Sequence, residues 1–254
     1  MVKTERKVVM ITGASGGLGR GIAIACAAQG WSVWLAARRE SAGNNVAAEI
    51  TQQGGVAQFV RCDAGVQESV ETALATVLDA EGRLDGLVHN ATSGLSPRPG
   101  AVSDLSLSDF RDHVTVSLRG SFLLARAAFE PLKRSQGALV LLSSEAGFEG
   151  KARLPAYATV KAAQRGFARS LAREWGGAGI RVNCVAPLAA TEAMEDAFRR
   201  DPDMEERVLG RHPMRRLGDS VTDIGPAVCF LLSQDSRYIT GHTLMVDGGS
   251  CPVT

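Results

Sequence analysis

The chain has 254 residues, of which 45% are hydrophobic and 22% are charged. These fractions are close to the average for a globular domain, and they exclude disordered, collagen-like and low-complexity proteins. Lys and Arg number 28 against 27 Asp and Glu, so the net charge is +1 and no bulk field favours nucleic acid or an anionic membrane as a partner.

In chain order, short apolar runs alternate with segments of helical spacing. Most of these runs are continuously apolar, which is typical of strands buried on both faces of a sheet. We predict strands at residues 7–11, 32–36, 56–61, 84–89, 138–143, 180–185 and 243–246. We predict helices at about residues 19–29, 40–53, 67–81, 107–134, 155–176 and 221–232.

This alternation predicts an α/β fold, with a doubly wound parallel sheet and helices on both of its faces. No linker divides the chain, so we expect one domain over residues 1–254. The segment 191–216 interrupts the alternation and is rich in charge and methionine. Its position before the last helix predicts a substrate lid, and the alternative is an ordinary solvated excursion.

The cysteine content bears on the cellular compartment. The number of cysteines is odd, no CxxC pair exists, and no Cys/His cluster has zinc spacing, so we expect neither a disulfide framework nor a metal. The first residues lack the long apolar region of a signal peptide, and no apolar run reaches the length of a membrane helix. We therefore expect a cytoplasmic protein. The cysteines are Cys26, Cys62, Cys184, Cys229 and Cys251.

A glycine-rich turn follows the first predicted strand, in the sequence TGASGGLG. Glycines allow a tight turn and a close approach of the backbone to a pyrophosphate, and the helix that follows directs its N-terminal N–H groups at that anion. The strand and helix on either side are the context that this motif requires. We predict dinucleotide binding by Gly13, Ser15, Gly17, Leu18 and Gly19.

The end of the second strand indicates which dinucleotide is bound. An NAD site usually has an acidic residue there, whereas this chain has Ala37 followed by Arg38 and Arg39. A guanidinium group binds a 2′-phosphate, so NADP(H) is favoured over NAD(H). The alternative is that both arginines only cap a solvated turn. At the end of the third strand, before Ala64, Asp63 is expected either to accept from the adenine amino group or to cap a helix.

Three polar residues predict carbonyl chemistry. Ser144 ends the fifth predicted strand, and Tyr157 and Lys161 are four residues apart, on one face of a helix. Reducing a carbonyl requires a proton on oxygen, which a tyrosine can donate if a nearby ammonium lowers its pKa. Ser144 is expected to orient the substrate oxygen. Taken singly, the three residues are equally explained as a half-buried aromatic, a solvated charge and a turn former.

Together these motifs resemble the short-chain dehydrogenase/reductase superfamily in its single-domain form, over essentially the whole chain. The resemblance implies a Rossmann fold with a seven-stranded sheet. It also implies Tyr157 as general acid/base, Lys161 as its partner and as a ligand of the nicotinamide ribose, and a homotetramer or homodimer. The motifs are TGASGGLG, Asp63, His89-Asn90-Ala91, Ser144, Tyr157 with Lys161, Val182-Asn183 with Pro187, Thr240-Gly241 and Val246-Asp247-Gly248-Gly249. Further cofactor contacts are expected at Ala64, Asn90, Ala91, Pro187 and Thr191.

The chain departs from the family pattern at three places. The family usually has Asn-Asn-Ala-Gly after the fourth strand, whereas this chain has His89-Asn90-Ala91-Thr92. Ser117 stands where the family has an asparagine that is thought to hold a water in a proton relay, so Ser117 is a candidate catalytic residue with a rewired relay. Leu188 replaces a glycine after the sixth strand and is expected to narrow the site.

The leading expectation is an NADPH-dependent ketone reductase, reversible as an alcohol dehydrogenase, that acts on an apolar carbonyl compound. An enoyl or acyl-thioester reductase of the same family is the alternative, because Asn90-Ala91-Thr92-Ser93-Gly94 resembles members that act on such substrates. A nucleotide-binding sensor or scaffold with weakened catalysis is the alternative of another class. Arg211, Arg215 and Arg216 are either solvated or face an acidic carrier. Predicted substrate contacts are Ser93, Leu95, Glu145, Phe148, Leu154, Leu188 and Met194.

Overall fold

The computed structural model describes residues 6–96, 98–190, 194–195, 198–199, 201–210 and 212–251. Strands and helices alternate through most of this range. The strands are β1 Val8–Thr12, β2 Ser32–Ala37, β3 Val56–Arg61, β4 Gly86–His89, β5 Ala138–Leu142, β6 Arg181–Pro187 and β7 Thr243–Val246. The α-helices are α1 Gly17–Ala28, α2 Glu40–Gln52, α3 Gln67–Glu81, α4 Leu107–His113, α5 Gly120–Ser135, α6 Ala146–Glu149, α7 Pro155–Trp175, α8 Pro202–Leu209 and α9 Gly225–Leu232.

The seven strands form one parallel sheet in the order β3-β2-β1-β4-β5-β6-β7. The order reverses between β1 and β4, where Thr12 is paired with Ala36 on one side and His89 on the other. In such a sheet, ligands bind outside the carboxyl ends of the strands at the point of reversal. The topology therefore places the predicted cofactor and catalytic residues at one edge.

Apolar side chains fill both faces of the sheet. Successive residues of a strand point to opposite faces, so Met10 belongs to one buried cluster whereas Ile11 belongs to the other. The first cluster includes Leu124 of α5, and the second includes Ile22 of α1. This two-sided burial confirms the predicted α/β fold with helices on both faces.

The structure differs from the sequence prediction in the burial of two strands and in the continuity of two helices. The two edge strands, β3 and β7, are largely half-buried rather than buried on both faces, because each has a neighbouring strand on one side only. The helix predicted over 107–134 is divided by a π-helical turn at Val114–Arg119. A second π-helical turn, Ser220–Ile224, precedes α9. Hydrophobic spacing does not reveal these turns, because a π turn adds only one residue to the helical period.

Two further structural observations concern membranes and metals. None of the helices that the structure describes is long and apolar enough to span a membrane. In the same described part of the chain, no three His, Cys, Asp or Glu side chains are grouped as metal ligands. All five cysteines are buried and free.

Candidate active site

The glycine turn lies at the carboxyl end of β1 and leads into α1. Gly17 has φ +52, a conformation that favours glycine, and a Cβ at this position would face open space. Gly19 is needed for a different reason, because a Cβ there would lie 2.4 Å from the carbonyl oxygen of Gly13. The backbone of the turn is therefore tightly packed at Gly19 and open at Gly17.

The N-terminus of α1 has the properties of an anion site. No side chain caps this helix, and its first turn has no acidic residue. The unpaired N–H groups at a helix start carry partial positive charge and bind phosphate. Together with the open space at Gly17, these features fit the pyrophosphate of a dinucleotide.

The two arginines after β2 lie next to this turn. Ala37 is buried at the end of β2, whereas the side chains of Arg38 and Arg39 are exposed. Arg39 is the N-cap residue before α2, and its Nη2 lies 3.4 Å from the Ser15 hydroxyl, to which it donates a long hydrogen bond. Arg39 is therefore placed to meet an anion beside the turn, and the exposed Arg38 precedes it in the chain.

Asp63 shapes a turn after β3. Its Oδ1 accepts from the backbone N–H of Gly65 at 3.0 Å, and its own N–H donates to the Ser69 hydroxyl at 2.9 Å. The alternative role as a helix cap is wrong, because α3 starts at Gln67 with Val66 in the capping position. Ala64 is buried beside it, and the predicted adenine contact of Asp63 stays a prediction.

Asn90 and Ala91 hold the glycine turn against β4. The Asn90 side-chain amide donates to the carbonyls of Thr12 and Gly13, at 3.1 Å in each case. The backbone N–H groups of Asn90 and Ala91 donate to the Thr12 hydroxyl at 3.1 and 3.2 Å. Asn90 and Ala91 therefore hold in place the turn whose open side, at Gly17 and the N-terminus of α1, fits the dinucleotide.

Ser144, Tyr157 and Lys161 meet at the carboxyl end of β5. The Lys161 ammonium lies 5.6 Å from the centroid of the Tyr157 ring, and Ser144 is hydrogen-bonded to Tyr157. Lys161 Nζ donates to the carbonyl of Leu142 at 2.6 Å. A proline at the start of α7 fixes its first turn, where Tyr157 stands, and Lys161 follows one turn later on the same face.

Burial dominates the titration of this group. It raises the pKa of Tyr157 above its ordinary value, and the hydrogen bond with Ser144 only partly opposes this effect. Burial also lowers the pKa of Lys161 to about 8. In the polypeptide alone, burial therefore shifts the pKa of Tyr157 in the direction opposite to the one that proton transfer needs, and the expectation that Lys161 makes Tyr157 more acidic stays a prediction.

His89 joins β4 to the π-helical turn Val114–Arg119, a role that the sequence analysis missed. It is fully buried, with Nδ1 2.9 Å from the Thr12 hydroxyl and Nε2 3.1 Å from the carbonyl of Ser117. Burial and the charge of Lys161 lower the pKa of His89 to about 4. The signal in the sequence was the replacement of an amide by a histidine, but only the fold shows its two partners.

Ser117 and Thr92, two of the departures from the family pattern, contact each other. Ser117 is fully buried in the π-helical turn, and its hydroxyl lies 3.1 Å from that of Thr92. Thr92 is in turn 2.8 Å from the Ser96 hydroxyl. The carbonyl of Ser117 accepts from Gln164 at 3.2 Å and from Ser121 at 2.7 Å. Ser117 is thus the centre of a buried polar network, and its catalytic role stays a prediction.

The predicted substrate contacts have diverse surroundings. Leu95 and Leu154 line a cavity of about 340 Å³ that also has Tyr157 on its wall. Ser93 is buried and donates to Asp112, and Glu145 is paired with Lys151 and accepts from Ser250 at 3.1 Å.

The remaining predicted contacts lie elsewhere around the site. Phe148 stacks on the guanidinium of Arg165, whose carbon is 3.1 Å from the ring centroid. The backbone of Leu188 pairs with Val246 at 3.0 Å, next to the half-buried Pro187, and Met194 is half-buried. Thr191 and Arg211 lie outside the described residues, as does part of the predicted lid.

Sequence analysis also missed five polar residues of that cavity. Four of them are the charged Arg98, Asp104, Asp109 and Arg153, and the fifth is the buried His113. Their sequence signal was only their position in the segments that follow β4 and precede α7. The wall next to Tyr157 is therefore mixed apolar and charged, rather than apolar as expected.

The fold and this constellation together define a nucleotide-dependent oxidoreductase with a tyrosine-lysine pair. Comparison with known proteins gives the family. A family model described as Enoyl-(Acyl carrier protein) reductase matches residues 13–251. The chain belongs to the short-chain dehydrogenase/reductase superfamily, whose members bind NAD(P)(H).

Curated relatives and solved structures have different activities. The 7alpha-hydroxysteroid dehydrogenase of Escherichia coli is 32% identical, over 98% of this chain and 95% of the relative. The 3-oxoacyl-[acyl-carrier-protein] reductase FabG of Staphylococcus aureus is 33% identical, over 96% of this chain and 97% of the relative. A 3-ketoacyl-(acyl-carrier-protein) reductase from Brucella melitensis, complexed with NADH, is 29% identical with a TM-score of 0.88, and the match covers 98% of this chain and 99% of that chain.

Proposed function

We propose that this protein reduces a ketone to a secondary alcohol, reversibly and with NADP(H), with Tyr157 as general acid/base. The observation that carries the proposal is the meeting of Tyr157, Lys161 and Ser144 beside a cavity, at the same carboxyl edge of the sheet as the glycine turn. The nicotinamide cofactor, when bound, supplies or accepts the hydride. The polypeptide supplies the proton and orients the substrate oxygen.

Each side chain has a separate task in this proposal. The Tyr157 hydroxyl gives its proton to the substrate oxygen during reduction and takes it back during oxidation. Ser144 donates its single hydroxyl proton to the same oxygen, in place of its present bond to Tyr157. Lys161 stabilises the phenolate that remains after proton transfer, because its ammonium lies on the same face of α7.

The preference for NADP(H) is supported by the end of β2. A carboxylate at the position of Ala37 would repel a 2′-phosphate, whereas Arg38 and Arg39 attract it. The Brucella reductase carries NADH, so the family accommodates either cofactor. We expect Arg38→Asp to weaken NADPH binding at least about tenfold more than NADH binding, since one charge-assisted bond is replaced by repulsion. Arg134→Asp, at an exposed position on α5, is the matched control.

The catalytic proposal is tested with the two tyrosines of the chain, Tyr157 and the fully exposed Tyr238. NADPH oxidation is followed with a panel of cyclic, aromatic and acyl-thioester ketones. Tyr157→Phe is expected to lower kcat by about a thousandfold or more, because the acid catalyst is lost, while Tyr238→Phe leaves kcat unchanged. Full activity of Tyr157→Phe would refute the assignment. Tight NADPH binding by the wild type without turnover of any compound would favour a sensor.

Reduction of an acyl thioester is the second candidate. The matching family model is described as an enoyl reductase, and FabG acts on an acyl-carrier substrate. Comparison of a 3-oxoacyl thioester with the corresponding enoyl thioester separates ketone reduction from double-bond reduction. The predicted homotetramer and cytoplasmic location stay predictions.

A further inference from the structure

We propose that the cavity beside Tyr157 binds a substrate that carries a carboxylate as well as its reacting carbonyl, with Arg98 and Arg153 as the partners of the carboxylate. This inference rests on the proposed function, because Tyr157 on the cavity wall marks where the carbonyl reacts. It goes further in naming a substrate class, which the catalytic residues alone do not specify.

The cavity has both apolar and charged residues in its lining. Its volume of about 340 Å³ suits a small ligand, and Leu95, Leu105 and Leu154 provide apolar surface. Arg98 and Arg153 line the same space. A ligand that fills the cavity therefore meets both leucine side chains and guanidinium groups, which fits a small keto acid better than a hydrocarbon ketone.

The two arginines come from different segments that are fastened together. The N–H of Gly100 donates to the carbonyl of Arg153 at 2.8 Å, which brings the segment containing Arg98 against the one that precedes α7. Neither guanidinium forms an ion pair with a carboxylate in the part of the chain that the structure describes, although Asp104 and Asp109 line the same cavity. Each guanidinium offers a fork of N–H donors that suits a carboxylate, and both arginines line the same cavity.

A second observation, at His113 on α4, also indicates a ligand. Its side chain is buried, it lines the cavity, and its Nδ1 has no hydrogen-bond partner among the described residues. A buried polar atom without a partner costs free energy, so such atoms commonly mark sites that water or a ligand completes. We therefore assign His113 a hydrogen bond to a polar group of the bound substrate.

The carboxylates of the protein indicate which end receives the anion. Asp109 lies one helical turn before His113 on α4, so the His113 end of the cavity is negative. Asp104 is a second carboxylate of the lining, and its Oδ1 accepts a hydrogen bond from the Ser103 hydroxyl at 3.0 Å. The substrate carboxylate consequently belongs beside the arginine segments, and its neutral polar atoms belong beside His113.

The test compares keto acids with their methyl esters. Benzoylpropionate, benzoylbutyrate and their esters are reduced by the wild type with saturating NADPH, and kcat/KM is measured for each. We expect the acids to be favoured by about tenfold or more, the contribution of one charge-assisted hydrogen bond. Arg98→Gln with Arg153→Gln is expected to abolish this preference, whereas Arg173→Gln, at an exposed position late in α7, is expected to keep it.

A further variant and a binding measurement distinguish a failure of the carboxylate site from a failure of the proposed reaction. His113→Phe is expected to raise KM for acid and ester alike, since it removes a contact to a neutral part of the substrate. Equal kcat/KM for acid and ester in the wild type, or a preference that survives in the double variant, would overturn the proposal. If neither compound is turned over, benzoylpropionate is titrated calorimetrically into the NADPH-saturated protein. Binding that the double variant loses would support the carboxylate site while the proposed reaction fails, and absence of binding would overturn the site.

Discussion

The loss of folding stability at acidic pH should depend on His89, because this side chain is buried in its neutral form. The pKa of His89 is about 4 in the fold against an ordinary value of 6.5. Between these values the unfolded chain binds a proton that the folded chain does not, so stability is complete above 6.5 and is lost as the pH falls towards 4. With these two values, lowering the pH from about 7 to about 5 reduces the unfolding free energy by about 2 kcal/mol.

The assay is urea unfolding, followed by circular dichroism, at several pH values across this range. His89→Asn is expected to flatten the pH dependence by about 2 kcal/mol relative to the wild type, whatever its absolute stability. His242→Asn, which changes the same residue type at an exposed position, is the matched control. An equal pH dependence in the wild type and in His89→Asn would refute the reasoning, because it would mean that His89 takes up its proton without opposing the fold.

Two other predictions concern the polar network and the glycine turn. Ser117→Asn is expected to destabilise the fold by about 1–3 kcal/mol, because it enlarges a fully buried side chain against Thr92, and Thr92→Gly in the same chain is expected to restore part of the loss; strictly additive unfolding free energies in the double-mutant cycle would contradict this. Gly19→Ala is expected to lower NADPH affinity more than Gly17→Ala, because a Cβ at position 19 would lie 2.4 Å from the Gly13 carbonyl oxygen and displace the turn, whereas a Cβ at position 17 adds the backbone strain of φ +52 but no clash; equal dissociation constants in fluorescence titrations would contradict this.

Much of the fold could be predicted because its signals are local. The strands and helices follow from apolar runs and helical spacing, and the glycine turn follows from its place between β1 and α1. Tyr157 and Lys161 could be paired because a spacing of four fixes a common helix face. The half-buried edge strands could not be predicted in the same way, because burial there depends on the order of strands in the sheet.

The side chains around the candidate active site could not be predicted, because they are brought together by contacts between segments that are distant in the sequence. His89 meets Ser117 only because β4 and the π-helical turn are adjacent in space. Arg98 and Arg153 are 55 positions apart and share a cavity through one backbone hydrogen bond between their segments. The effect of burial on the pKa of Tyr157 could not be predicted either, because the sequence shows a neighbouring charge but not the loss of water around the phenol.

The bridge between Ala189 and Gly218 has a consequence for how this scaffold diversifies. Gly218 donates to the carbonyl of Leu188 at 3.1 Å and accepts from the N–H of Ala190 at 2.9 Å. The intervening stretch thus departs from and returns to the same point, and a change in its length adds little closure entropy. A stretch of different length can therefore be accommodated between these two anchors without lengthening or shortening the strands of the sheet.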